Sequence, residues 1–226
     1  MINPNHIAII MDGNSRWGKK NFNSIQLGHQ NGVKNIKPII KLCLSKKIKN
    51  LTLFALSYDN LKKRKKKEIQ NIFSLFDKYL SKNINYFIEN KITLNFIGEL
   101  HELPKNILKK ILNVKTNTRK KNNKLLINVA LNYSSKKEIL NVLKILNKKK
   151  LKINEKNFNK SISTHYSGDP EIIIRTGGFY RLSDFLLWQS SYSELFFLKK
   201  LWPDFTTTDL NKIINKFKKI KRNFGS

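Results

Sequence analysis

The chain carries, close to its start, the segment His6-Ile7-Ala8-Ile9-Ile10-Met11-Asp12-Gly13-Asn14-Ser15-Arg16-Trp17. Residues 7–11 are all apolar, which predicts a buried strand over His6–Met11. Asp, Gly and Asn follow at once, and these residue types favour a turn at the end of a strand. A buried strand with a polar tail is the unit from which a parallel, doubly covered sheet is built.

The same unit recurs along the chain, separated by longer stretches of helical periodicity. Further strands are predicted at Leu51–Leu56, Ile92–Ile97, Leu125–Asn132 and Glu171–Ile174, and helices at Gly28–Lys47, Glu68–Asn90, Pro104–Thr118, Lys136–Asn147, Ser183–Ser193 and Thr208–Lys221. The alternation predicts an α/β fold with a mostly parallel central sheet flanked by helices. Because the sequence has no internal repeat and no linker rich in Gly or Ser, residues 1–226 are expected to form a single domain.

Composition excludes several classes of protein. Hydrophobic residues make up 40% of the 226, which is too many for a disordered chain. The apolar runs are too short to cross a bilayer, and the N-terminal residues show no secretory signal. Cys43 is the only cysteine, which excludes an internal disulfide and a multi-cysteine metal site. We therefore expect a reduced, cytoplasmic protein.

The formal net charge of +30 admits two interpretations. One is a nucleic-acid-binding protein, which would show a steep dependence of binding on salt. The other is a chain-wide preference for lysine, since only six of the 45 basic residues are arginines, the better residue for recognising phosphates and base edges. We favour the second interpretation and expect no specific nucleic acid partner. Lysines at the surface would also suit peripheral contact with an anionic membrane, such as the inner membrane face.

Four polar segments follow the predicted strands. They are Asp12–Trp17, Ser57–Asn60, Asn132–Ser134 and Arg175–Gly178. Ligands of open α/β sheets bind beyond the carboxyl ends of the strands, so all four segments are expected at one edge of the sheet.

Asp12 has two interpretations when it is taken alone, either as a capping residue of a turn or as a ligand of Mg²⁺. Gly13 would let the backbone approach a phosphate, and Arg16 would add a charge-assisted donor. The sequence contains neither a P-loop motif nor a Gly-x-Ser-x-Gly elbow, which excludes those two kinds of site by motif.

A second constellation spans residues 175–183. Two arginines, Arg175 and Arg181, flank a Gly pair and precede Ser183, which predicts an anion pocket, although a plain surface turn remains an alternative. Glu194 is a candidate second metal ligand or an ordinary surface charge. His29 could donate to a phosphate or cap a helix.

Taken together, these segments resemble the cis-prenyltransferases, and undecaprenyl diphosphate synthases of bacteria most of all. The matching segments are His6–Trp17, Gly28-His29, Ala55–Asn60, Asn132-Tyr133, Arg175–Gly178, Arg181–Gln189, Glu194 and Leu201-Trp202-Pro203-Asp204-Phe205. They occur in order over nearly the whole chain, and their joint occurrence is very specific.

The resemblance implies a Mg²⁺-dependent enzyme that adds isopentenyl diphosphate repeatedly to an allylic diphosphate, usually farnesyl diphosphate. It implies a polyprenyl diphosphate product such as undecaprenyl diphosphate, a lipid carrier precursor for cell-wall synthesis, and a homodimer. Asp12 and Glu194 would hold the metal, and Asp12 and Asn60 would be the catalytic residues. The positions that match substrate-binding motifs are Gly13, Asn14, Ser15, Arg16, Trp17, His29, Ser57, Tyr58, Asp59, Lys63, Arg175, Arg181, Leu182 and Ser183.

The resemblance also implies an apolar tunnel between sheet and helices for the growing chain. Ala55, Ile92 and the helix Gly28–Lys47 are the expected walls. Asn60 matches the residue that is usually assigned to proton removal. An amide is a poor base, so we expect Asn60 to position the substrate or to relay the proton.

Several positions depart from the pattern of that family. Ile25 stands where an arginine is usual, which leaves Lys19 or Lys20 as substitutes. Either Lys63 or Arg64 would take the role of the arginine that follows the second strand. Phe179 replaces a common acidic residue, and the usual C-terminal Arg-Arg-Phe-Gly reads Arg222-Asn223-Phe224-Gly225. These changes leave open a weak or inert family member that serves as a subunit of another synthase.

Overall fold

Six parallel strands form the central sheet of the computed structural model, which describes residues 3–119 and 122–221. The strands are β1 (His6–Ile10), β2 (Asn50–Ser57), β3 (Ile92–Ile97), β4 (Leu125–Tyr133), β5 (Ile172–Arg175) and β6 (Glu194–Phe197). Their order in the sheet is β3-β4-β2-β1-β5-β6, and all five pairings are parallel. The predicted fold class and the five predicted strands are confirmed. The departing segment Arg222–Gly225 lies outside the described residues.

Eight helices connect the strands over the described ranges. They are α1 (Asn14–Phe22), α2 (Ile25–Ser45), α3 (Tyr58–Lys63), α4 (Lys66–Glu89), α5 (Lys105–Thr118), α6 (Ser135–Lys148), α7 (Glu155–Ser161) and α8 (Thr207–Phe217), with short 3₁₀ turns at Leu100–Glu102 and Trp202–Asp204. Capping residues in the sequence explain where several of these helices begin. The hydroxyl of Ser24 accepts from Leu27 N at the start of α2, and Thr206 with Asp209 forms a capping box on α8. None of the helices within the described ranges is both long and apolar enough to cross a membrane.

The sheet separates two apolar clusters because neighbouring residues of a strand point to opposite faces. In β1, Ile7 and Ile9 belong to the larger cluster, which packs under α2, α4, α5 and α8. Ala8 and Ile10 belong to the smaller cluster on the other face, together with Phe185 and Leu186. The chain therefore covers both faces of the sheet, as apolar parallel strands require.

A row of buried polar side chains crosses the sheet on the side of the smaller cluster. The Asn95 amide donates to Asn128 Oδ1 at 2.9 Å, and the Asn128 amide donates to Thr52 Oγ1 at 3.1 Å. His6 Nε2 lies 2.7 Å from the same Thr52 oxygen, and its Nδ1 lies 2.9 Å from the carbonyl of Gly168. Burial lowers the pKa of His6 to about 4, so the ring is neutral at pH 7.

The helix predicted over Ser183–Ser193 is wrong, because the segment forms a series of turns followed by β6. Ser183, Asp184 and Leu186 have φ of 51°, 63° and 48°, which no right-handed helix allows. The apolar spacing that suggested a helix has a different origin. Phe185 and Leu186 lie in turns, and their side chains are fully buried against one face of the sheet.

Candidate functional site

The carboxyl ends of four strands meet at one edge of the sheet, as the sequence predicts. Ile10 at the end of β1 lies between Phe54 of β2 and Arg175 of β5. The segments that follow these ends open onto one cavity of about 740 Å³. Thirteen of the residues predicted to bind substrate or metal line it: Asp12, Gly13, Asn14, Ser15, Arg16, His29, Ser57, Tyr58, Asp59, Lys63, Arg175, Arg181 and Ser183. The predicted catalytic residue Asn60 lines it as well.

Asp12 lies between two arginines at the mouth of this cavity. Arg16 Nη2 donates to Oδ1 at 3.1 Å, and Arg175 Nη2 donates to Oδ2 at 2.9 Å. The backbone carbonyl of Asp12 accepts from Thr176 Oγ1 and from Trp202 N. Each carboxylate oxygen has two acceptor sites, so one site on each oxygen stays available to a cation or a water.

Arg175 is held from several sides although it ends a buried strand. Its side chain is only 5% exposed. Its Nη1 donates to the carbonyl of Arg181 and, at 2.7 Å, to Ser183 Oγ. Its Nε is buried without a partner among the described residues. A buried cation with one unused donor beside a cavity is prepared to bind an anion.

The first glycine of the pair after Arg175, Gly177, lies so close to Arg16 that a side chain would not fit. Gly177 and Gly178 have φ of 93° and 79°, a region that side chains rarely adopt. A Cβ on Gly177 would lie 2.6 Å from Arg16 Nη2 and 3.0 Å from Asp12 Cγ. Any larger residue here would therefore displace the arginine from the carboxylate.

The next residue, Phe179, lies among three guanidinium groups. Arg181, Arg16 and Arg175 have Cζ atoms 4.2, 4.7 and 5.5 Å from the centre of its ring. The sequence marks this position only as a departure from the resembled family. Contact with all three cations could not be predicted because Arg16 is distant along the chain.

The N-terminus of α1 forms one wall of the cavity mouth. Gly13, Asn14 and Ser15 all line the cavity, and the helix that starts at Asn14 presents its free backbone N–H groups there. The positive end of the helix dipole favours an anion at this place. α1 was not predicted from the sequence, because its residues are mostly polar.

The opposite wall consists of α3 and the start of α4. Ser57 caps α3 by accepting from Asn60 N at 3.1 Å, which fixes Asn60 in the first turn. Lys62 and Lys137 contact the ring of Tyr58, and hydrogen bonding to these two lysines lowers the pKa of the Tyr58 hydroxyl. Both lysines lie beside the cavity rather than in its lining.

His29 faces Arg64 across the cavity mouth. Arg64 Nη1 lies 3.3 Å from His29 Nε2 and 2.6 Å from Glu68 Oε1. Burial, together with the charge of Arg64, lowers the pKa of His29 to about 4. Lys63 also lines the cavity but pairs with Asp59 in an exposed ion pair. Arg64 is thus the better placed of the two candidates, and its partner Glu68 was not foreseen.

Three predicted residues lie away from this arrangement. Trp17 donates from Nε1 to Asp204 Oδ1 at 2.7 Å, and Leu182 packs against the smaller apolar cluster. Glu194 is the first residue of β6, and in the register of the sheet it lies beside Ile172 of β5, which lies beside Ile7 of β1. Asp12 lies five residues beyond Ile7 along the chain. That separation is roughly 16 Å along the strands, so one chain does not bring Glu194 to Asp12.

The predicted apolar tunnel is present as the inner part of the cavity. Its walls are β2, β4, α2 and α4, with Ala55, Ile36, Phe76 and Val129 among the lining residues. Ile92 is buried in the core and does not line the cavity, contrary to the prediction. The substitutes proposed for Ile25, Lys19 and Lys20, are also outside the lining.

The segment Leu201–Phe205 connects three elements around the site. Trp202 donates from N to the Asp12 carbonyl and from Nε1 to the carbonyl of Gly32 in α2. Asn35 donates back to the carbonyls of Trp202 and Phe205. A Cβ on Gly13 would lie 2.8 Å from a methyl group of Leu201. This segment therefore fixes the loop that carries Asp12.

A group of three possible metal-binding side chains lies elsewhere, after β3. Glu99, His101 and Glu102 bring their ligand atoms within 4.8 Å of one another. None of the three lines the cavity.

Comparison with known proteins gives consistent results. The family model described as "Putative undecaprenyl diphosphate synthase" matches residues 10–225. The isoprenyl transferase of Thermotoga maritima is 39% identical over 98% of this chain and 97% of its own. A solved lavandulyl diphosphate synthase from Lavandula x intermedia, in complex with dimethylallyl diphosphate, superposes with a TM-score of 0.93 at 30% identity, over 99% of each chain. A probable undecaprenyl diphosphate synthase from Campylobacter jejuni has a TM-score of 0.85 at 34% identity, over 100% of each chain.

Proposed function

Because the chain belongs to the undecaprenyl diphosphate synthase family of prenyltransferases, we propose that it condenses isopentenyl diphosphate with an allylic diphosphate in cis geometry. Farnesyl diphosphate is the primer that we propose. The product is a long polyprenyl diphosphate such as undecaprenyl diphosphate, a carrier precursor for cell-wall synthesis.

The observation that carries this proposal is the division of the cavity into two parts. Its mouth holds Asp12 bound by Arg16 and Arg175, with Arg64 and Arg181 also in the lining, and its interior is walled by aliphatic and aromatic side chains. A prenyl diphosphate has the same division, with a polyanionic head and an apolar tail. Burying the tail contributes roughly 0.8 kcal/mol per methylene-sized group.

Mg²⁺ fits the donors at the mouth. The ion binds through one or two carboxylates and completes its shell with water and substrate phosphates, and Asp12 offers one carboxylate that faces the cavity. When bound, Mg²⁺ would neutralise charge on the leaving diphosphate. Arg16 and Arg175 keep the Asp12 side chain in place for that contact.

The two substrates bind on different sides of Asp12 in this proposal. The N-terminus of α1, with Gly13, Asn14, Ser15, Arg16 and His29, receives the allylic diphosphate, and Arg64 beside His29 takes the role of the arginine that follows the second strand. Arg175, Arg181 and Ser183 receive isopentenyl diphosphate. His29 is neutral at pH 7, and because its Nε2 accepts from Arg64 Nη1, it orients that guanidinium towards the diphosphate.

Asn60 and the rest of α3 lie over the bond-forming centre. Asn60 orients isopentenyl diphosphate and relays its proton towards a diphosphate oxygen, with Ser57, Tyr58, Asp59 and Lys63 completing the wall. Closing this wall excludes water from an allylic carbon that carries positive charge. Trp17 and Leu182 support the site through their packing.

We propose a homodimer in which Glu194 acts at the metal of the other subunit. β6 is the last strand of the sheet in the described residues, and Leu195 on it is 43% exposed. An uncovered apolar edge strand favours association with a second copy. Sedimentation of the 26.5 kDa chain should give a dimer, and Leu195→Lys should give a monomer with little activity. A fully active monomer would overturn this arrangement.

The protein would work in the cytoplasm, at the inner membrane face, where a long polyprenyl product must leave the protein. The net charge of +30 supports contact with anionic lipid.

The central test is product formation from purified protein. Farnesyl and labelled isopentenyl diphosphates with Mg²⁺ should give long products on reversed-phase chromatography, and chelation of the metal should stop the reaction. Absence of product with dimethylallyl, geranyl and farnesyl primers, from folded protein, would contradict the proposal and would favour an inert subunit.

A further inference from the structure

One aromatic ring holds together three cations that come from different parts of the chain. Phe179 is 37% exposed and lies within about 6 Å of three guanidinium carbons, the range in which a cation is attracted to a ring face. Arg16 comes from α1, Arg175 ends β5, and Arg181 follows in the loop.

Charge alone would drive these arginines apart. Within the described residues, Asp12 is the one carboxylate in contact with them, and it binds Arg16 and Arg175 but not Arg181. Arg16 and Arg181 are exposed, so burial does not fix them either. The ring therefore supplies an attraction that the carboxylate cannot supply to all three.

A ring attracts cations without neutralising them. Three guanidinium groups and one carboxylate leave two positive charges at the cavity mouth, available to phosphate oxygens. A carboxylate at position 179, the common residue in the resembled family, would attract the same arginines by charge and lower the net positive charge beside them by one.

We propose that Phe179 is a positioning residue of the diphosphate site, which acts by gathering Arg16, Arg175 and Arg181 around its ring before the ligand binds. This proposal rests on the proposed function and deepens it. Arginines that are already ordered lose less side-chain entropy on binding, which strengthens the binding of an anion. The turn at Gly177 and Gly178 places the ring there.

The test compares substitutions that keep or remove the ring. Inorganic pyrophosphate, titrated calorimetrically in Mg²⁺ buffer without prenyl substrates, should bind Phe179→Leu about tenfold more weakly than the unsubstituted protein, since two exposed arginines lose their order. Phe179→Tyr keeps the ring and should stay within about twofold. Tyr166→Leu, which removes a ring that is 76% exposed and contacts none of the three arginines, is the matched control.

A double-mutant cycle separates positioning from simple packing. In an Arg181→Gln background, Phe179→Leu should weaken pyrophosphate binding less than it does alone, because one cation is already lost. The KM for isopentenyl diphosphate should rise in Phe179→Leu, with kcat changing less. Melting temperature checks the fold, and Phe179→Met replaces the leucine variant if that variant is unstable.

Equal pyrophosphate affinity in Phe179→Leu and the unsubstituted protein would overturn the inference. Equal losses in the Leu and Tyr variants, or strict additivity with Arg181→Gln, would do the same. If the unsubstituted protein transfers prenyl groups while Phe179→Leu binds normally, only this inference fails. If it binds pyrophosphate in the predicted order but forms no product, only the proposed function fails.

Discussion

At the scale of single residues, Asp12 determines what the cavity mouth can bind. Its carboxylate accepts from Arg16 and Arg175, and its carbonyl joins the end of β1 to the segment at Trp202. The side chain of Asp12 therefore supplies negative charge at the cavity mouth, and its backbone carbonyl holds the loop in position. Substitutions of the side chain should reveal the role of that charge.

We expect Asp12→Asn to lower kcat by at least about 100-fold, because charge compensation on the leaving diphosphate would be lost. Melting temperature should also fall, since Asn offers its oxygen to one arginine only and Arg175, 5% exposed, loses its charged partner. The measurement is incorporation of labelled isopentenyl diphosphate. Asp77→Asn, on α4 in a partly exposed pair with Lys110, is the control and should stay fully active.

The buried rings of His6 and His29 make stability depend on pH. Each pKa is lowered to about 4 in the folded protein, against about 6.5 when unfolded. The unfolded chain therefore binds more protons between these values. Stability is fully present above pH 6.5 and is lost as pH falls towards 4, by about 3 kcal/mol for the fully buried His6.

Urea unfolding at several pH values checks this expectation. His6→Gln should be less stable than the unsubstituted protein at pH 7, and this difference should shrink towards pH 4. His101→Gln, at an exposed ring, should leave the pH profile unchanged. An unaltered profile in His6→Gln would show that another group causes the acid sensitivity.

At the scale of elements, the side chain of Asp184 joins the loop after β5 to the start of α6. Asp184 accepts from Lys136 N at 3.0 Å and from Ser134 Oγ, both at the start of α6. The loop runs through three non-glycine residues of positive φ, a conformation that costs free energy unless contacts hold it. Asp184 thereby keeps the neighbouring Ser183 beside Arg175.

Asp184→Ala should destabilise the protein by about 1–2 kcal/mol and raise the KM for isopentenyl diphosphate severalfold. Asn154→Ala removes a comparable cap from α7, where Asn154 accepts from Asn157 N at 2.9 Å. This control should lose similar stability with no change in KM. Steady-state kinetics and urea titration of both variants separate the two effects.

The residues that line the tunnel should limit the length of the product. Ala55 on β2 faces the cavity, so Ala55→Phe should obstruct the growing chain and give shorter products. Leu112→Phe, at an exposed site on α5, should give the product length of the unsubstituted protein. Chromatography of the dephosphorylated products measures both. Unchanged length in Ala55→Phe would place the growing chain elsewhere.

The sequence was informative about elements wherever burial was continuous. The apolar run within His6–Ile10, a strand buried at every residue, located β1, and the polar residues after it located the cavity mouth. It failed where polar residues form helices, as in α1, and where apolar spacing arises from turns, as at Phe185 and Leu186. Local periodicity carries no information on which distant segment will pack against a residue.

The same limit applies to the site. Motif positions identified Asp12, Arg175 and Ser183, whose contacts lie at one sheet edge. The pair of His29 with Arg64, and the three cations around Phe179, depend on tertiary packing and could not be predicted. Glu194 was grouped with Asp12 by motif, but the register of β6 separates the two within one chain.

At the scale of the whole molecule, the net charge of +30 predicts salt-sensitive binding to anionic surfaces. Vesicles with a third of anionic lipid should sediment with the protein at low salt and release it near 0.5 M salt, while neutral vesicles should not bind. Random duplex DNA is the comparison. Tight DNA binding at physiological salt that depends on Arg175 or Arg181 would contradict our interpretation of the lysines.

The contacts of Leu201–Phe205 have a consequence for biosynthesis. The loop that carries Asp12 directly follows the first strand, yet it is fixed by Trp202, which is synthesised long after it. A nascent chain that has emerged as far as residue 200 already contains every residue that we assign to catalysis, but its Asp12 loop lacks its support. Active enzyme should therefore arise only after the segment Leu201–Phe205 has emerged, and a ribosome-bound chain stalled at residue 200 should convert no substrate.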